Sequence, residues 1–183
     1  DSVTLDNAGL QGLLTGKTVL VTGAGGSIGS ELCRQIAKFA PASLVLFELN
    51  EFALYNIEQE FRRDFPNITM AFMIGDVKNS SRLTQVFEQF RPTVVFHAAA
   101  YKHVPLMEEG NAWQAILNNV LGTHVLAQAA VKHGVERFIL ISTDKAVNPT
   151  NVMGASKRMA EMVCQAQQQD IFSAGKNGYI DSK

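Results

Sequence analysis

Short apolar runs alternate with amphipathic segments along this chain. Five runs have the length and residue types of buried strands, and they cover residues 18–21, 43–47, 69–74, 93–96 and 137–141. In the segments between them, apolar residues recur every three or four positions, which is the spacing of a helix with one buried face. These segments predict helices over about residues 28–40, 51–64, 81–90, 111–132 and 151–168. In the helix over 111–132 we expect the inward face to consist of Ile116, Leu117, Val120, Leu121 and Val125.

The order of the predicted elements indicates the fold class. Strands without polar alternation are buried on both faces, and strands that alternate with helices form a parallel sheet. Right-handed crossovers then give an α/β fold with a doubly wound parallel sheet of the Rossmann type, whose ligands bind at the carboxyl ends of the strands. We expect a lead-in segment over 1–16, this nucleotide-binding domain over 17–169, and a tail over 170–183 without a strand.

The first strand runs into a turn of glycines spaced three apart. Gly23 permits a sharp turn, Gly26 lets the backbone approach a pyrophosphate, and Gly29 allows a helix to lie close to the strand. Ser27 and Ile28 would then begin a helix whose free N–H groups attract phosphate. A glycine-rich turn without a ligand is the alternative reading.

Glu48 ends the second strand, 25 residues beyond Gly23. A carboxylate there can accept hydrogen bonds from the ribose hydroxyls of adenosine and would repel a 2′-phosphate. This position favours NAD over NADP as the cofactor. A solvated loop acid is the competing interpretation.

The ends of the third and fourth strands carry further candidate cofactor contacts. Asp76 and Val77 would reach the adenine side of the cofactor. Ala98, Ala99 and Ala100 are small enough for the cofactor to lie against the fourth strand, although close packing alone also accounts for them.

Ionisable residues follow the fifth strand. A hydroxyl, a carboxyl group and an amine occur together at Thr143, Asp144 and Lys145, and such a set can donate and remove protons. A capped turn with a surface ion pair is the alternative. Further along, Met153 and Lys157 lie one helical turn apart and would share a helix face at the nicotinamide end.

Charge and composition narrow the possible functions. The net charge is −1, which gives no electrostatic case for a nucleic acid or an acidic membrane surface. No stretch approaches the roughly 20 apolar residues of a membrane span, so we expect a cytoplasmic protein. The two cysteines, Cys33 and Cys164, are predicted to be buried free thiols.

The four histidines lack the spacing of metal ligands, so no metal site is predicted. Lys102 and His103 follow the fourth strand. They are candidate substrate contacts, with a plain loop as the alternative.

Three segments resemble known enzymes. Residues 22–29 resemble the cofactor loop of the extended short-chain dehydrogenases/reductases. Residues 97–108 and 142–157 are similar to the nucleotide-sugar 4,6-dehydratases of polysaccharide biosynthesis, the CapD/WbpM-like group. Together the similarity extends over about residues 10–169.

The resemblance implies a UDP-N-acetylglucosamine 4,6-dehydratase that uses NAD. In such an enzyme the cofactor takes a hydride from sugar C4, water leaves across C5 and C6, and the hydride returns to C6. The product is a 4-keto-6-deoxy sugar for O-antigen or capsule precursors. Members are expected to be homo-oligomers, and many carry membrane helices upstream.

The resemblance also implies residue roles. Lys145 matches the base for the C5 proton, Asp144 the acid for the C6 hydroxyl, and Thr143 the hydroxyl that helps deprotonate the C4 oxygen. Lys157 matches the lysine that binds the nicotinamide ribose, and Asn119 matches an asparagine that supports this lysine. Ser142 is a candidate substrate contact beside them.

Met153 departs from most of the superfamily, which has a tyrosine base at this position. Methionine cannot take up a proton, and the WbpM-like subgroup shares it. The chain also ends before the sugar-binding region that such an enzyme needs. A nucleotide-sugar epimerase or reductase, and an inert cofactor-binding module, therefore remain as alternatives.

Overall fold

Six parallel strands form one sheet in the computed structural model, which describes residues 6–173 and 178–181. The order across the sheet is β3-β2-β1-β4-β5-β6. This order confirms the predicted α/β fold with a doubly wound parallel sheet. The strands are β1 (Thr18–Thr22), β2 (Ser43–Glu48), β3 (Met70–Ile74), β4 (Val94–His97), β5 (Arg137–Leu140) and β6 (Tyr179–Asp181).

One helix, α1 (Asn7–Leu14), precedes β1, and the other helices connect successive strands. They are α2 (Ser27–Ala37), α3 (Glu51–Asp64), α4 (Ser80–Phe90), α5 (Val104–Glu108), α6 (Ala112–Ala115), α7 (Gly122–Lys132) and α8 (Val152–Ser173). A π-helix over Ile116–Leu121 joins α6 to α7, and a 3₁₀ turn over Asp144–Ala146 follows β5. In the part of the chain described here, no helix has both the length and the apolar character needed to cross a membrane.

The core consists of two apolar layers, one on each face of the sheet. In β2, Val45 and Phe47 belong to the layer shared with α4, α7 and α8, whereas Leu44 and Leu46 belong to the layer shared with α2 and α3. Adjacent residues of one strand therefore enter opposite layers, as the pleat requires. Both faces of the sheet are shielded from water, which explains why the strand sequences are continuous apolar runs.

The prediction of one regular helix over 111–132 is wrong, because α6, the π-helix and α7 follow one another in this stretch. We expected Leu121 and the apolar residues Ile116, Leu117, Val120 and Val125 to face inward. Leu121 is instead exposed and the other four are only partly buried, while the inward positions belong to residues of a different set. The buried residues of this stretch are Ala115, Asn118, Asn119, Gly122, Thr123, Leu126, Ala127 and Ala130. They still recur every three or four positions, but an apolar pattern does not mark asparagine, glycine and threonine as inward residues.

Both ends of the chain contain elements that periodicity did not predict. In the lead-in segment 1–16, α1 begins after Asp6, whose carboxylate accepts a hydrogen bond from Gly9 N, and it buries Leu14. In the tail 170–183, β6 pairs in parallel with β5, so the expectation of no strand there is wrong. Residues 1–5, 174–177 and 182–183 lie outside the described residues. The domain boundary at residue 169 stays a prediction, and α8 continues through it.

The order in which strands are added to the sheet reverses between β1 and β4. Strands β1 to β3 extend to one side and β4 to β6 to the other. In such sheets the crevice outside the carboxyl ends of the two central strands is where ligands bind. The fold therefore places a binding site beside Thr22 and His97, the last residues of these strands.

Helix α2 contacts the turn after β1 with no side chain between them at one point. A Cβ atom on Gly29 would lie 1.9 Å from Gly23 O, so no larger residue fits without displacement of the backbone. We expect Gly29→Ala to lower the free energy of unfolding by about 3 kcal/mol, because the helix must move away from the turn.

Gly12→Ala in α1 is the matched control for urea unfolding. Gly12 has nothing within 4 Å of its would-be Cβ, and alanine should stabilise this helix by roughly 0.5–1 kcal/mol. Equal stability of the two variants would contradict the close contact.

Candidate functional site

The glycine turn between β1 and α2 presents bare backbone. Gly23 has φ +66°, and a Cβ atom there would lie 2.6 Å from Ala99 N. Gly26 is the N-cap of α2 and gives no side-chain hydrogen bond, so the helix begins without a side-chain acceptor for its first N–H groups. Ser27 and Ile28 form its exposed first turn. An anion would complete the hydrogen bonds of this helix end.

A cleft of about 300 Å³ lies at this edge of the sheet, and most of the predicted cofactor residues line it. Those that do are Gly23, Gly26, Glu48, Asp76, Val77, Ala98, Ala99 and Ala100. Ser27, Ile28 and Gly29 follow immediately in α2. Neither Lys102 nor His103, which are both exposed in the loop before α5, lines this cleft. Their predicted substrate contact stays a prediction.

Glu48 is held beside the glycine turn by two backbone donors. Gly25 N donates to its Oε2 at 2.9 Å, and Asn50 N donates to its Oε1 at 2.9 Å. Each carboxylate oxygen has a further lone pair for a ligand hydroxyl. The cleft thus joins an uncapped helix end, a bare glycine turn and a fixed acid, and these residues fit the pyrophosphate and ribose of a dinucleotide such as NAD.

A buried histidine connects this turn to the π-helix. His97 Nδ1 lies 2.7 Å from Thr22 Oγ1, and His97 Nε2 lies 2.9 Å from Thr123 Oγ1. Thr123 Oγ1 donates its own hydrogen to Asn119 O at 2.6 Å, so it must accept from Nε2–H of the ring. Burial lowers the pKa of His97 to about 3, with a smaller contribution from the charge of Lys157, so the ring is neutral.

Asn119 joins the loop after β4 to the last helix. Its side chain accepts from Tyr101 N at 2.8 Å and donates to Tyr101 O at 3.0 Å. It also donates to Ser156 Oγ at 2.9 Å. The structure therefore connects Asn119 to the residue before Lys157 rather than to the lysine that it was predicted to support.

Lys157 is buried in the second turn of α8. Its Nζ donates to Ile141 O at 2.6 Å, just past the end of β5. Burial lowers its pKa to about 8, and the nearby Glu161 carboxylate acts in the opposite direction. Met153, one turn earlier, is also buried and contacts an apolar cluster with Met107 and Ala115. No proton-transfer group therefore occupies the position of Met153.

The three residues after Ser142 form a small hydrogen-bonded unit. Thr143 Oγ1 donates to Asp144 Oδ1 at 2.9 Å, and Lys145 Nζ lies 3.8 Å from the same oxygen. The Thr143 hydroxyl, and then the charge of Lys145, lower the pKa of Asp144. The Asp144 side chain is 90% exposed and that of Lys145 52%. Because β1 and β5 are parallel and separated only by β4, this unit follows the same sheet edge as the glycine turn.

Ser142 has a protein partner in this structure. Its Oγ donates to Glu161 on α8, and Glu161 also pairs with Arg158 at 2.9 Å. This bond fastens the end of β5 to α8. The predicted contact between Ser142 and a substrate stays a prediction.

Sequence reasoning missed several residues of the cleft region. Asn118 and Tyr101 line the cleft, and Lys78 pairs with Asp76 at 2.9 Å. The signal for Asn118 was its place beside Asn119, but an apolar pattern does not mark an asparagine as an inward residue. Among the described residues, no group of three or more histidine, cysteine or acidic side chains could hold a metal ion.

Residues 19–179 match the family described as polysaccharide biosynthesis protein. The capsular polysaccharide biosynthesis protein CapD of Staphylococcus aureus is 52% identical over 171 residues, which are 93% of this chain and 28% of that protein. The crystal structure of Pen from Bacillus thuringiensis superposes with a TM-score of 0.83 at 30% identity, over 92% of this chain and 49% of that one.

Two different activities occur among relatives of about one-third identity. An inverting UDP-N-acetylglucosamine 4,6-dehydratase of Campylobacter jejuni is 32% identical over 92% of this chain and 50% of its own length. A UDP-glucose 4-epimerase of Rickettsia rickettsii is 34% identical over 82% of this chain and 43% of its own length. The chain thus spans half or less of each of these proteins.

The neutral state of His97 predicts a pH dependence of stability. Its pKa is lower in the folded protein than in the unfolded chain, so the unfolded state binds the extra proton, and stability falls as the pH drops below about 6.5 towards 3. Relative to His97→Asn, the unchanged protein should lose up to about 1.4 kcal/mol more per pH unit in this window. Urea unfolding between pH 7 and pH 4 measures both slopes, and parallel slopes would contradict the assignment.

Proposed function

The chain belongs to the polysaccharide biosynthesis protein family of the extended short-chain dehydrogenases/reductases, and we propose that it is the cofactor-binding and proton-transfer part of an NAD-dependent UDP-N-acetylglucosamine 4,6-dehydratase. One observation carries this proposal. A hydroxyl, a carboxylate and an amine form one unit after β5, on the sheet edge that holds the cleft, while a buried methionine stands where most relatives in the superfamily have a tyrosine base.

The cleft supports NAD as the cofactor. Bound there, NAD would accept a hydride from C4 of the sugar and return it at C6. Glu48, fixed by Gly25 N and Asn50 N, would hold the adenosine ribose, and the N-terminus of α2 would hold the pyrophosphate. Among the described residues, Lys157 donates one of its three N–H groups, to Ile141 O, so two would remain for the nicotinamide ribose.

The unit after β5 supplies the proton transfers in this proposal. As the C4 hydride leaves, Thr143 would pass the proton of the C4 hydroxyl to Asp144, and Lys145 would remove the C5 proton and return it when the hydride comes back to C6. Asp144 would give its proton to the C6 hydroxyl, which leaves as water. In the structure the Thr143 hydroxyl holds the pKa of Asp144 down, so Asp144 is ionised and can take up this proton. When the hydroxyl turns to the sugar, Asp144 loses that donor and its pKa rises, so it retains the proton until the C6 hydroxyl leaves.

An epimerase is the second candidate, supported by the Rickettsia relative. An epimerase needs one group that removes and returns the proton of the C4 hydroxyl, and Met153 cannot do so. The pair Asp144 and Lys145 has no evident task in a reaction confined to C4. Binding of NAD without turnover would favour a third candidate, an inert cofactor-binding module. The cytoplasmic location and the homo-oligomeric state are further proposals.

Replacement of Glu48 tests the choice of cofactor. Glu48→Gln keeps an acceptor for Gly25 N but removes the charge that repels a 2′-phosphate. We expect the ratio of the Kd for NADP to the Kd for NAD to fall about tenfold, because one unit charge near a phosphate is worth roughly 1–2 kcal/mol in a partly exposed site. Isothermal titration of both cofactors measures the ratio.

Glu51→Gln is the matched control, since Glu51 is an exposed acid in the first turn of α3 that does not line the cleft. An unchanged ratio in Glu48→Gln, or the same fall in both variants, would show that Glu48 does not select the cofactor.

Replacement of Lys145 tests the chemistry. With UDP-N-acetylglucosamine and NAD in deuterated water, we expect NMR to show deuterium at C5 and a new C6 methyl group. Lys145→Ala should reduce C5 exchange by at least about 100-fold, because a positioned base contributes that much, while the affinity for NAD stays nearly unchanged.

Lys38→Ala is the control for this assay, because Lys38 is exposed at the end of α2, at the opposite edge of the sheet. An inverted C4 hydroxyl would establish the epimerase instead. Exchange at C5 that persists in Lys145→Ala would show that Lys145 is not the base.

A further inference from the structure

Lys78 fixes the carboxylate of Asp76 at the cleft. Its backbone N–H and its side-chain Nζ both donate to Asp76 Oδ1, each at 2.9 Å. Among the described residues, no hydrogen bond reaches the second oxygen, Oδ2. One carboxylate oxygen of this cleft residue thus accepts two hydrogen bonds from Lys78, and both lone pairs of the other oxygen remain for a ligand.

The same lysine connects this carboxylate to the opposite wall of the cleft. Lys78 Nζ lies 3.5 Å from Oδ1 of Asn118, a buried residue of the π-helix that lines the cleft. Asn118 Nδ2 donates in turn to Asn119 Oδ1 at 3.2 Å. The loop after β3 also lies close to the start of α7, just after the π-helix, since a Cβ atom on Gly122 would lie 2.8 Å from Val77 Cγ2.

Charge explains why a lysine suits this position. A carboxylate in a partly enclosed cleft is costly to desolvate unless a cation or several donors accompany it. The side chains of Lys78 and Asp76 are 29% and 31% exposed, so each is shielded from water while it remains at the mouth of the cleft. With Lys78 in place, the carboxylate of Asp76 keeps one orientation when a flat ring covers it.

We propose that Lys78 is a positioning residue for the adenine end of the cofactor: it holds Asp76 so that Oδ2 accepts a hydrogen bond from the adenine 6-amino group. The proposal rests on the proposed binding of NAD and adds a residue that selects the base. An amino group is a donor that a fixed carboxylate recognises, whereas a carbonyl at the same ring position would be repelled.

The test compares NAD with nicotinamide hypoxanthine dinucleotide, in which a carbonyl replaces the 6-amino group. Isothermal titration should show that the unchanged protein binds NAD about tenfold more tightly than the analogue. Lys78→Met should weaken NAD about tenfold and bring its affinity close to that of the analogue. Lys78→Arg keeps a cation that can donate to Asp76, and it should keep most of the preference.

Lys17→Met is a matched control. Lys17 pairs with Glu136 at 2.8 Å and its side chain is 34% exposed, but it lies before β1, at the opposite edge of the sheet. Its replacement should leave both affinities unchanged. The melting temperature of each variant without ligand separates a loss of binding from a loss of folding.

Asp76→Asn shows whether Lys78 acts through Asp76. The double variant Asp76→Asn/Lys78→Met should bind NAD no more weakly than Asp76→Asn alone. A further loss in the double variant would mean that Lys78 contacts the nucleotide directly, and the positioning role would be overturned.

Other outcomes also overturn the inference. Equal weakening of NAD and its analogue by Lys78→Met would place the lysine at a part that both share, such as the phosphates. If Lys78→Met does not fold, a wild-type preference for NAD in Asp76→Asn decides against the inference. Failure of the unchanged protein to bind either dinucleotide would reject the proposed function together with it, whereas tight NAD binding that ignores Lys78 would reject the inference alone.

Discussion

One imidazole joins the two halves of the site. His97 ends β4, and its two ring nitrogens are bonded to Thr22, the residue before the glycine turn, and to Thr123 at the start of α7. The Thr123 hydroxyl in turn donates to the backbone carbonyl of Asn119, and the Asn119 side chain hydrogen-bonds to Tyr101 and Ser156. The histidine must be neutral to accept on one nitrogen and donate on the other, and burial keeps it so. The relative position of the cofactor turn and of the helix that carries Lys157 therefore depends on a buried group whose charge is suppressed.

The parts of the fold that sequence reasoning found are those fixed by burial on both sides. β1, β2 and β4 lie inside the sheet and have helices on both faces, so apart from polar residues at their ends all their residues are apolar, and their limits are clear. The glycine turn was equally clear, because Gly23 and Gly29 each meet backbone atoms that a side chain would displace. In these places one physical requirement excludes nearly all other residues.

The parts that sequence reasoning missed depend on contacts distant in the chain. The π-helix puts two adjacent asparagines inside, and what makes that favourable is the set of partners Lys78, Tyr101 and Ser156. None of these partners is close to the asparagines in sequence. The three-residue strand β6 gains its stability from pairing with β5, so no local pattern marks it. At the site, the binding of Ser142 by Glu161 was hidden for the same reason.

The exposure of the unit after β5 limits what this chain can do by itself. The Asp144 side chain is 90% exposed, so water screens its interaction with Lys145. The proposed proton transfers need the exclusion of water, which a bound nucleotide sugar and the further residues of the longer relatives would provide. Lys157, in contrast, is already buried, and this burial lowers its pKa to about 8. With methionine at position 153 this lysine has no phenol beside it to activate, so in the proposed function it would hold the ribose.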